Sequence, residues 1–512
     1  MFKLRFLTTG LFLFATATLF GQSTVRPAPA QVPPYQVALY DSSYQGFYLT
    51  APFKPGANAG GPAIPQPLLI LDSKGYLFWY MLVESRSLLD FKFNAEQQRY
   101  QFVKFINPQQ VQFVLMDTGF NPVDSFTTVN GILPDIHEFQ ITKNKTVLLS
   151  GVSDSIMNLG AYLFNGVIGS ANTRVLGFVV QEFDAGHNLL FQWDSNDHIH
   201  PGATYSNYGY NAAAFDYCHG NSIEEDTDGN LLLSFRNLNA VYKIDRQTGE
   251  VLWILGGKSS SFVFDNDPGF SGQHDVRRLP NGNISLFDNA NQAPPPRVSR
   301  AVEYRLDTVN WVATRVWEYR HAPGFFCMAL GSHQTTPDRR HCINYGFNFR
   351  PNPSVTLVDD ARKRRSELFF ADSFMSYRSF LFDLPVNDIQ RPAITCSQNG
   401  GLVTLSAPPG YDRYEWSTGE TSASIDAAAA GVYQVWVNYG SGMLGSEPFV
   451  IQQLDSACPV SSVPEADVVK SQTVVAYYDL LGRRIGPPPY PGRHGQLYVV
   501  RFEDGRSQLR FY

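Results

Sequence analysis

The sequence is short of several things, and each shortage excludes something. There are five cysteines in 512 residues and no CxxC pair, so a structural zinc site built on paired cysteines is not expected. Charged residues make up 17%, below the roughly 25% of an ordinary soluble domain. The formal net charge is −6, which does not favour a protein held to nucleic-acid phosphates. No P-loop motif occurs, so no Walker-type phosphate cradle is expected. Beyond the first residues no apolar run reaches the ~20 needed to cross a membrane, and no stable membrane span is expected.

What is there is turn formers and aromatics: 41 Gly, 33 Pro, 38 Phe and 26 Tyr. That argues against disorder and coiled coil and for a mostly β chain.

The ends read as addresses. MFKLRFLTTGLFLFATATLFGQ has basic Lys3 and Arg5, an apolar stretch over Leu11–Ala17, and small Ala15, Ala17 and Gly21. Residues 1–22 are expected to be a secretory signal peptide; the run is too short for an anchor. At the other end, β runs at Val474–Tyr478 and Leu497–Phe502 and a last one at Leu509–Tyr512 flank YDLLGRRI and GQLYVVRF. Residues 471–512 resemble the C-terminal sorting domain of type IX secretion substrates; an ordinary small β domain is the alternative. The resemblance implies a type IX secretion partner and a place outside, or on the surface of, a Gram-negative bacterium. Cys396 and Cys458 bracket one β segment and are candidates for a disulfide; Cys327 and Cys342 flank a hairpin and could also pair, leaving Cys218 over.

Between these ends two units recur. One is a hairpin with an Asp/Gly turn: PLLILDSKGYLFWYM, VQFVLMDTGFNPVDSF, GFVVQEFDAGHNLLFQW, AVYKIDRQTGEVLWIL, AVEYRLDTVNWVATRVWEY and a truncated YRSFLFDLP. The other precedes some of these: HEFQITKNKTVLLSG, NSIEEDTDGNLLLSF and HDVRRLPNGNISLFD. Four strands per unit, repeated radially, predict an all-β fold with a six-bladed β-propeller over 23–388; an array of sandwiches is the alternative. Residues 391–455 resemble an immunoglobulin-like or PKD-like β-sandwich module, and 456–470 reads as a linker.

A propeller gathers the starts of its inner strands, so chemistry is sought there. His137, His219 with Asn221, His274 and His333 open repeats, and Arg236 follows the strand LLLSF. Any one histidine is more often structural; three at equivalent places in a ring are harder to explain so. Asp197-His198-Ile199-His200 is read as a strand end rather than a metal site, Asp288-Asn289 as a turn with ligand binding the alternative, Arg297 and Arg300 as either anion contacts or a salt-bridged surface or rim, and Arg362 to Arg365 as a solvated loop.

FDYCHGNSIEEDTDGNLLLSFRNLNAVYKIDRQTGEVLWILGG, then QHDVRRLPNGNISLFDN and RVSRAVEYRLD, resemble the arylsulfotransferase family over about 130–385, with H-x-N, S-x-R and QH in family order. The resemblance implies transfer of a sulfuryl group from a phenolic sulfate ester to a phenolic acceptor, without phosphoadenosine phosphosulfate and with no metal or other cofactor. It implies His274 as the nucleophile that becomes a sulfohistidine. His219 and Asn221 become sulfate-binding residues, Arg236 an anion donor and His137 a further active-site histidine. His137 and His219 remain alternatives for general acid and base. His333 is a weaker candidate for substrate binding. A cysteine near the catalytic loop, present in enterobacterial relatives, is absent from GGKSSSFVFDNDPGFSGQH, and so is their N-terminal dimerisation domain. A non-catalytic surface propeller binding glycan or protein, and a sulfatase-like hydrolase using the same pocket, are the competing functions.

Overall fold

The two recurring units are both hairpins, and together they make one sheet. HEFQITKNKTVLLSG folds as Leu133–Ile141 against Val147–Met157, and the following unit adds Thr173–Phe183 and Leu189–Asp194. The same order gives Gly220–Glu225, Leu231–Phe235, Ala240–Ile244 and Val251–Gly256. It gives His274–Arg278, Ile284–Asp288, Arg300–Asp307 and Val312–Tyr319 once more. Turns such as Asp226–Asn230 close by Asp226 accepting from Gly229 N–H, where Gly229 sits at φ +85°, a conformation glycine adopts without strain.

In this computed structural model the described residues are 23–55, 62–164, 167–205, 214–348, 351–371, 373–454 and 458, with four strands beyond. The expected signal peptide lies outside them, as does the expected linker apart from Cys458. Among the described residues three further sheets repeat the pattern. One holds Ser87–Asn94, Arg99–Asn107, Gln110–Met116 and Pro122–Phe126. A second holds Ser332–Thr335, His341–Asn344, Val355–Val358 and Arg364–Phe370, extended by Tyr35–Leu39. The third takes its first strand, Met375–Phe382, from late in the chain and the rest from early: Phe47–Phe53, Ile64–Asp72 and Leu77–Ser85. The truncated hairpin YRSFLFDLP is thus a lone strand completing a sheet begun more than 300 residues earlier.

The first strands of these sheets touch one another in a closed ring. Core clusters fill each gap between neighbours. Leu231, Leu233 and Phe235 pack with Leu148, Val180 and Trp193 on one side, while Leu232 packs with Leu255, Val276 and Leu286 on the other. This is why LLLSF is buried throughout instead of alternating.

Residues 391–454 supply Thr395–Asn399, Leu402–Ser406 and Ser424–Asp426 to one sheet, and Tyr414–Trp416, Val435–Tyr439 and Gly442–Gly445 to another. The latter is not free-standing. Met443 pairs with Tyr80 and Leu444 with Trp79, so it continues the sheet that ends at Leu77–Ser85. Trp436 Nε1 donates to Leu77 O at 3.1 Å.

The chain divides after residue 457. The second unit holds a four-stranded sheet of Arg484–Ile485, Val474–Tyr478, Leu497–Phe502 and Ser507–Phe511. Cys396 is disulfide-bonded, and so is Cys458. Cys327 and Cys342 do not pair. Both are free and buried, and they face different clusters, one with Phe287 and Trp317, the other with Leu357 and Trp436.

Candidate active site

Three consecutive first strands bring a histidine to their starts, and each breaks its ladder there. The register shifts between Pro134 and Phe139, between Gly220 and Ser222, and between His274 and Arg277. Such bulges re-aim side chains. Backbone in the left-handed region accompanies two of them, at His219 (φ 51°) and at Asp275 (φ 56°), directly after His274.

The result is a convergence of imidazoles. The His137 and His219 rings lie 4.8 Å apart, edge to face. Each is held by a carboxylate close in sequence. His137 Nδ1 is 2.8 Å from Asp135 Oδ2 and His219 Nδ1 is 2.5 Å from Asp216 Oδ2. Burial works against a charge on His219, but Asp216 outweighs it and raises the His219 pKa above the ordinary histidine value. Tyr377 Oη backs the pair, donating toward the carbonyls of His137 at 3.1 Å and Asn221 at 3.3 Å.

His274 is 1% exposed. Burial first, then Arg236, His219 and His137, hold its pKa well below the usual value, so it is neutral at pH 7. Its partners fix the tautomer. Nδ1 faces Asn289 Oδ1 at 2.7 Å and the Gly272 carbonyl at 3.1 Å, both acceptors, so Nδ1 carries the hydrogen. Asn289 is itself oriented by donating to the carbonyls of Cys327 and Leu330. The lone pair is therefore on Nε2, where it accepts from Leu330 N–H at 3.2 Å.

Arg236 forms no salt bridge among the described residues. Its guanidinium donates to Asn237 Oδ1 at 3.1 Å and Met328 O at 3.0 Å, neutral acceptors that an anion can replace. Asn221 is placed differently from expectation. It is fully buried, and its Nδ2 donates to Gln273 O at 2.7 Å, so it braces the strand start beside His274 instead of facing the cavity.

A cavity of about 60 Å³ lies against Asp135, His137, Asp216 and His219. A larger one of about 550 Å³ runs along Tyr205, Phe264, Phe270 and Ser271. Within the ring the strands are tied by buried charges. Glu138 meets Lys92 at 2.7 Å, Arg277 at 2.7 Å and Arg378 at 3.1 Å. Arg378 also reaches Asp90 at 2.8 Å, and Arg277 reaches Asp275 at 2.7 Å. Burial disfavours the Glu138 carboxylate, but the three cations together hold its pKa far below the usual range.

His333 does not join the other histidines. It opens its sheet as expected, yet its side chain is fully buried beside Trp317, its Nε2 3.1 Å from His341 Nδ1. Only its backbone N–H turns toward the site, to Asp275 Oδ2 at 3.1 Å. His198 stacks on Trp193, and His200 caps a short 3-10 turn at Gly202; Ser195–His198 is helical, not a strand end. Arg300 is salt-bridged as expected, to Asp267, Asp288 and Glu318, but it is 2% exposed and so lies in the interior, not on a surface or rim. Arg365 is likewise paired, to Asp41 and Asp359.

Sequence reasoning passed over Asp135, Asp216 and Tyr377, and read Asn289 as part of a turn. The two aspartates stand two and three residues before their histidines, a local D-x-H and D-x-x-H signal. Asn289 follows the strand paired with that of His274, and Tyr377 comes from another sheet; neither contact leaves a local signal.

The chain matches no curated protein. It is similar to a solved protein of unknown function from Bacteroides caccae, at 11% identity and a TM-score of 0.38, covering 63% of this chain and 93% of that one. It is similar also to the periplasmic gluconolactonase PpgL of Pseudomonas aeruginosa, at 11% identity and a TM-score of 0.37, covering 79% and 96%. A third is a virginiamycin B lyase from Staphylococcus aureus, at 8% identity and a TM-score of 0.32, covering 73% and 96%. The segment that carries His137, His219, Arg236 and His274, residues 106–354, is similar to the Arylsulfotransferase (ASST) family.

Proposed function

We propose that the chain is an aryl-sulfate sulfotransferase in which the ring of sheets is a six-bladed β-propeller and His274 carries the sulfuryl group. The observation that carries this reading is the neutral Nδ1–H form of His274, its Nε2 lone pair set beside two carboxylate-braced histidines and a guanidinium without a carboxylate partner. The family match supports aryl sulfotransfer in general.

In the first step Nε2 leaves its contact with Leu330 N–H and attacks sulfur. The N–S bond forms, the aryl S–O bond breaks, and the phenolate takes a proton from His219, whose protonated form Asp216 favours. Arg236 turns from Met328 O to the sulfuryl oxygens, and the freed Leu330 N–H offers them another donor. Asn289 holds the Nδ1 hydrogen as the ring becomes cationic. In the second step a phenol enters and gives its proton to His219. Its oxygen attacks sulfur, the N–S bond breaks, and His274 returns to its neutral form. No phosphoadenosine phosphosulfate takes part. The aromatic cavity at Phe264 and Phe270 suits the aryl ring.

The resemblances at the two ends support export by a signal peptide at 1–22 and type IX secretion through 471–512, with an immunoglobulin-like module at 391–455. The test is direct. Purified chain is mixed with 4-nitrophenyl sulfate, quenched, and its peptides weighed. A sulfuryl adduct on the His274 peptide, absent in His274→Ala, is the expected result. An active His274→Ala protein ends this mechanism. Sulfate released to water whether or not phenol is added makes the protein a hydrolase, and no turnover of any aryl sulfate makes it a binding propeller.

A further inference from the structure

A second group of buried side chains lies apart from the histidines of the active site. Glu303, His333 and His341 are each fully buried, and their donor atoms all lie within 4.8 Å of one another. They come from three strands of two neighbouring sheets: Arg300–Asp307, Ser332–Thr335 and His341–Asn344. His333 Nε2 is 3.1 Å from His341 Nδ1, and His341 Nδ1 is 3.7 Å from Glu303 Oε1. Thr335 Oγ1 adds a fourth corner, 3.0 Å from Glu303 Oε1 and 3.2 Å from His341 Nδ1. A tetrahedral zinc-class ion with bonds of about 2.0–2.1 Å separates its ligand atoms by about 3.3 Å.

Hydrogen counting shows that the group is incomplete as a protein-only network. His341 Nε2 faces Asp360 Oδ1 at 3.3 Å, and a carboxylate only accepts, so the His341 hydrogen is on Nε2 and Nδ1 holds a lone pair. The single Thr335 hydroxyl hydrogen goes to Glu303. Two tautomers of His333 remain. With the hydrogen on Nε2 it satisfies His341, but its own Nδ1 becomes a buried lone pair, and that atom has no hydrogen-bond partner. With the hydrogen on Nδ1, two imidazole lone pairs face each other at 3.1 Å with nothing between them. A cation between the two facing lone pairs resolves the second arrangement, with the His333 hydrogen on Nδ1.

We propose that His333 Nε2, His341 Nδ1 and Glu303 Oε1, with the Thr335 hydroxyl closing the fourth corner, form a structural site for one zinc-class divalent ion. The surroundings fit that use. Asp360 orients His341 through its outer nitrogen, as carboxylates do for zinc-bound histidines. Arg339 bridges Glu303 and Asp360, its Nη1 shared between both Glu303 oxygens, so an ion at Oε1 displaces the Thr335 hydroxyl hydrogen that Oε1 accepts without it. The Trp317 ring lies 3.7 Å over His341 and closes the site from water, so all positions are filled by protein and the ion is structural, not catalytic. The ion staples the sheet that begins at His274 to its neighbour, where His333 N–H also grips Asp275.

The test begins with the unaltered full chain, dialysed against metal-free buffer and analysed for metals. One equivalent of zinc per chain, or uptake of one equivalent of added zinc with a rise in Tm that magnesium does not give, is expected. Chelation lowers that Tm and zinc restores it. His341→Gln and His333→Gln lose the equivalent, while His274→Ala keeps it. A Tm unmoved by both chelator and zinc overturns the site, as does stoichiometric zinc that survives in both histidine variants. If either variant fails to fold, cobalt(II) added to the unaltered chain decides: an intense tetrahedral absorption band supports the site and a weak octahedral spectrum refutes it.

Discussion

Asp216 sets the working charge of one histidine, and this gives a pH signature. The raised His219 pKa means that its proton is held to higher pH than on an ordinary histidine and lost as pH climbs past that raised value. Turnover with an aryl sulfate is therefore expected to fall on the alkaline side. In Asp216→Asn the carboxylate is gone, while burial and Arg236 still disfavour the charge, so the alkaline limb moves to lower pH. A pH–rate profile of both proteins checks this; an unmoved limb means that His219 is not the acid. His274 lies on the other side of the ledger. Its depressed pKa keeps it neutral well below pH 6.5, so no acid limb is expected near that value. At this scale the sequence was informative where a residue's partner is local or its repeat position is regular. His137, His219 and His274 were legible for the second reason. Asn221 was legible as a position but not as a contact, because its amide answers to Gln273, 52 residues on. His333 misled because the start of its strand lies where the others do, while its side chain answers to Trp317 and His341.

Hairpins were the most legible elements, since Asp-Gly and Asn-Gly turns declare themselves locally. Pairing between distant segments did not declare itself. The strand Gly442–Gly445 reads as part of a separate module, yet it joins the edge of Leu77–Ser85. Gly442 shows why that contact needs glycine: a Cβ there would come within 2.4 Å of Tyr80 O and 2.5 Å of the Trp79 ring. Gly442→Val is expected to pry the strand from the sheet and expose the Trp79 edge. In calorimetry or hydrogen exchange this appears as a lower-melting transition confined to 391–454, with the ring of sheets little changed. A single unshifted transition would mean that the pairing adds nothing to stability. The burial of LLLSF on both faces was likewise unreadable without its neighbours, since a short apolar run fits several environments.

At the scale of the whole molecule, closure is the feature that matters. One sheet is built from both ends of the ring segment, Met375–Phe382 pairing with Phe47–Phe53. Arg378, on that closing strand, reaches Asp90 and Glu138 on two other sheets. Glu138 is the hub, and Glu138→Gln leaves three buried cations short of a counter-charge. It is expected to cost about 3–5 kcal/mol in denaturant unfolding, the usual result of breaking a buried ion network from one side. The same ionic knot has a bearing on traffic. Lys92, Arg277, Arg378 and their carboxylates bridge four of the first strands across the ring and, among the described residues, obstruct the way past Glu138. Donor, spent phenol and acceptor must then share one doorway and take turns in it. Initial-rate measurements with varied donor and acceptor are expected to give parallel reciprocal plots, with the released phenol competing against the incoming acceptor. Intersecting lines would require both aromatics inside together, a queue this cul-de-sac does not allow.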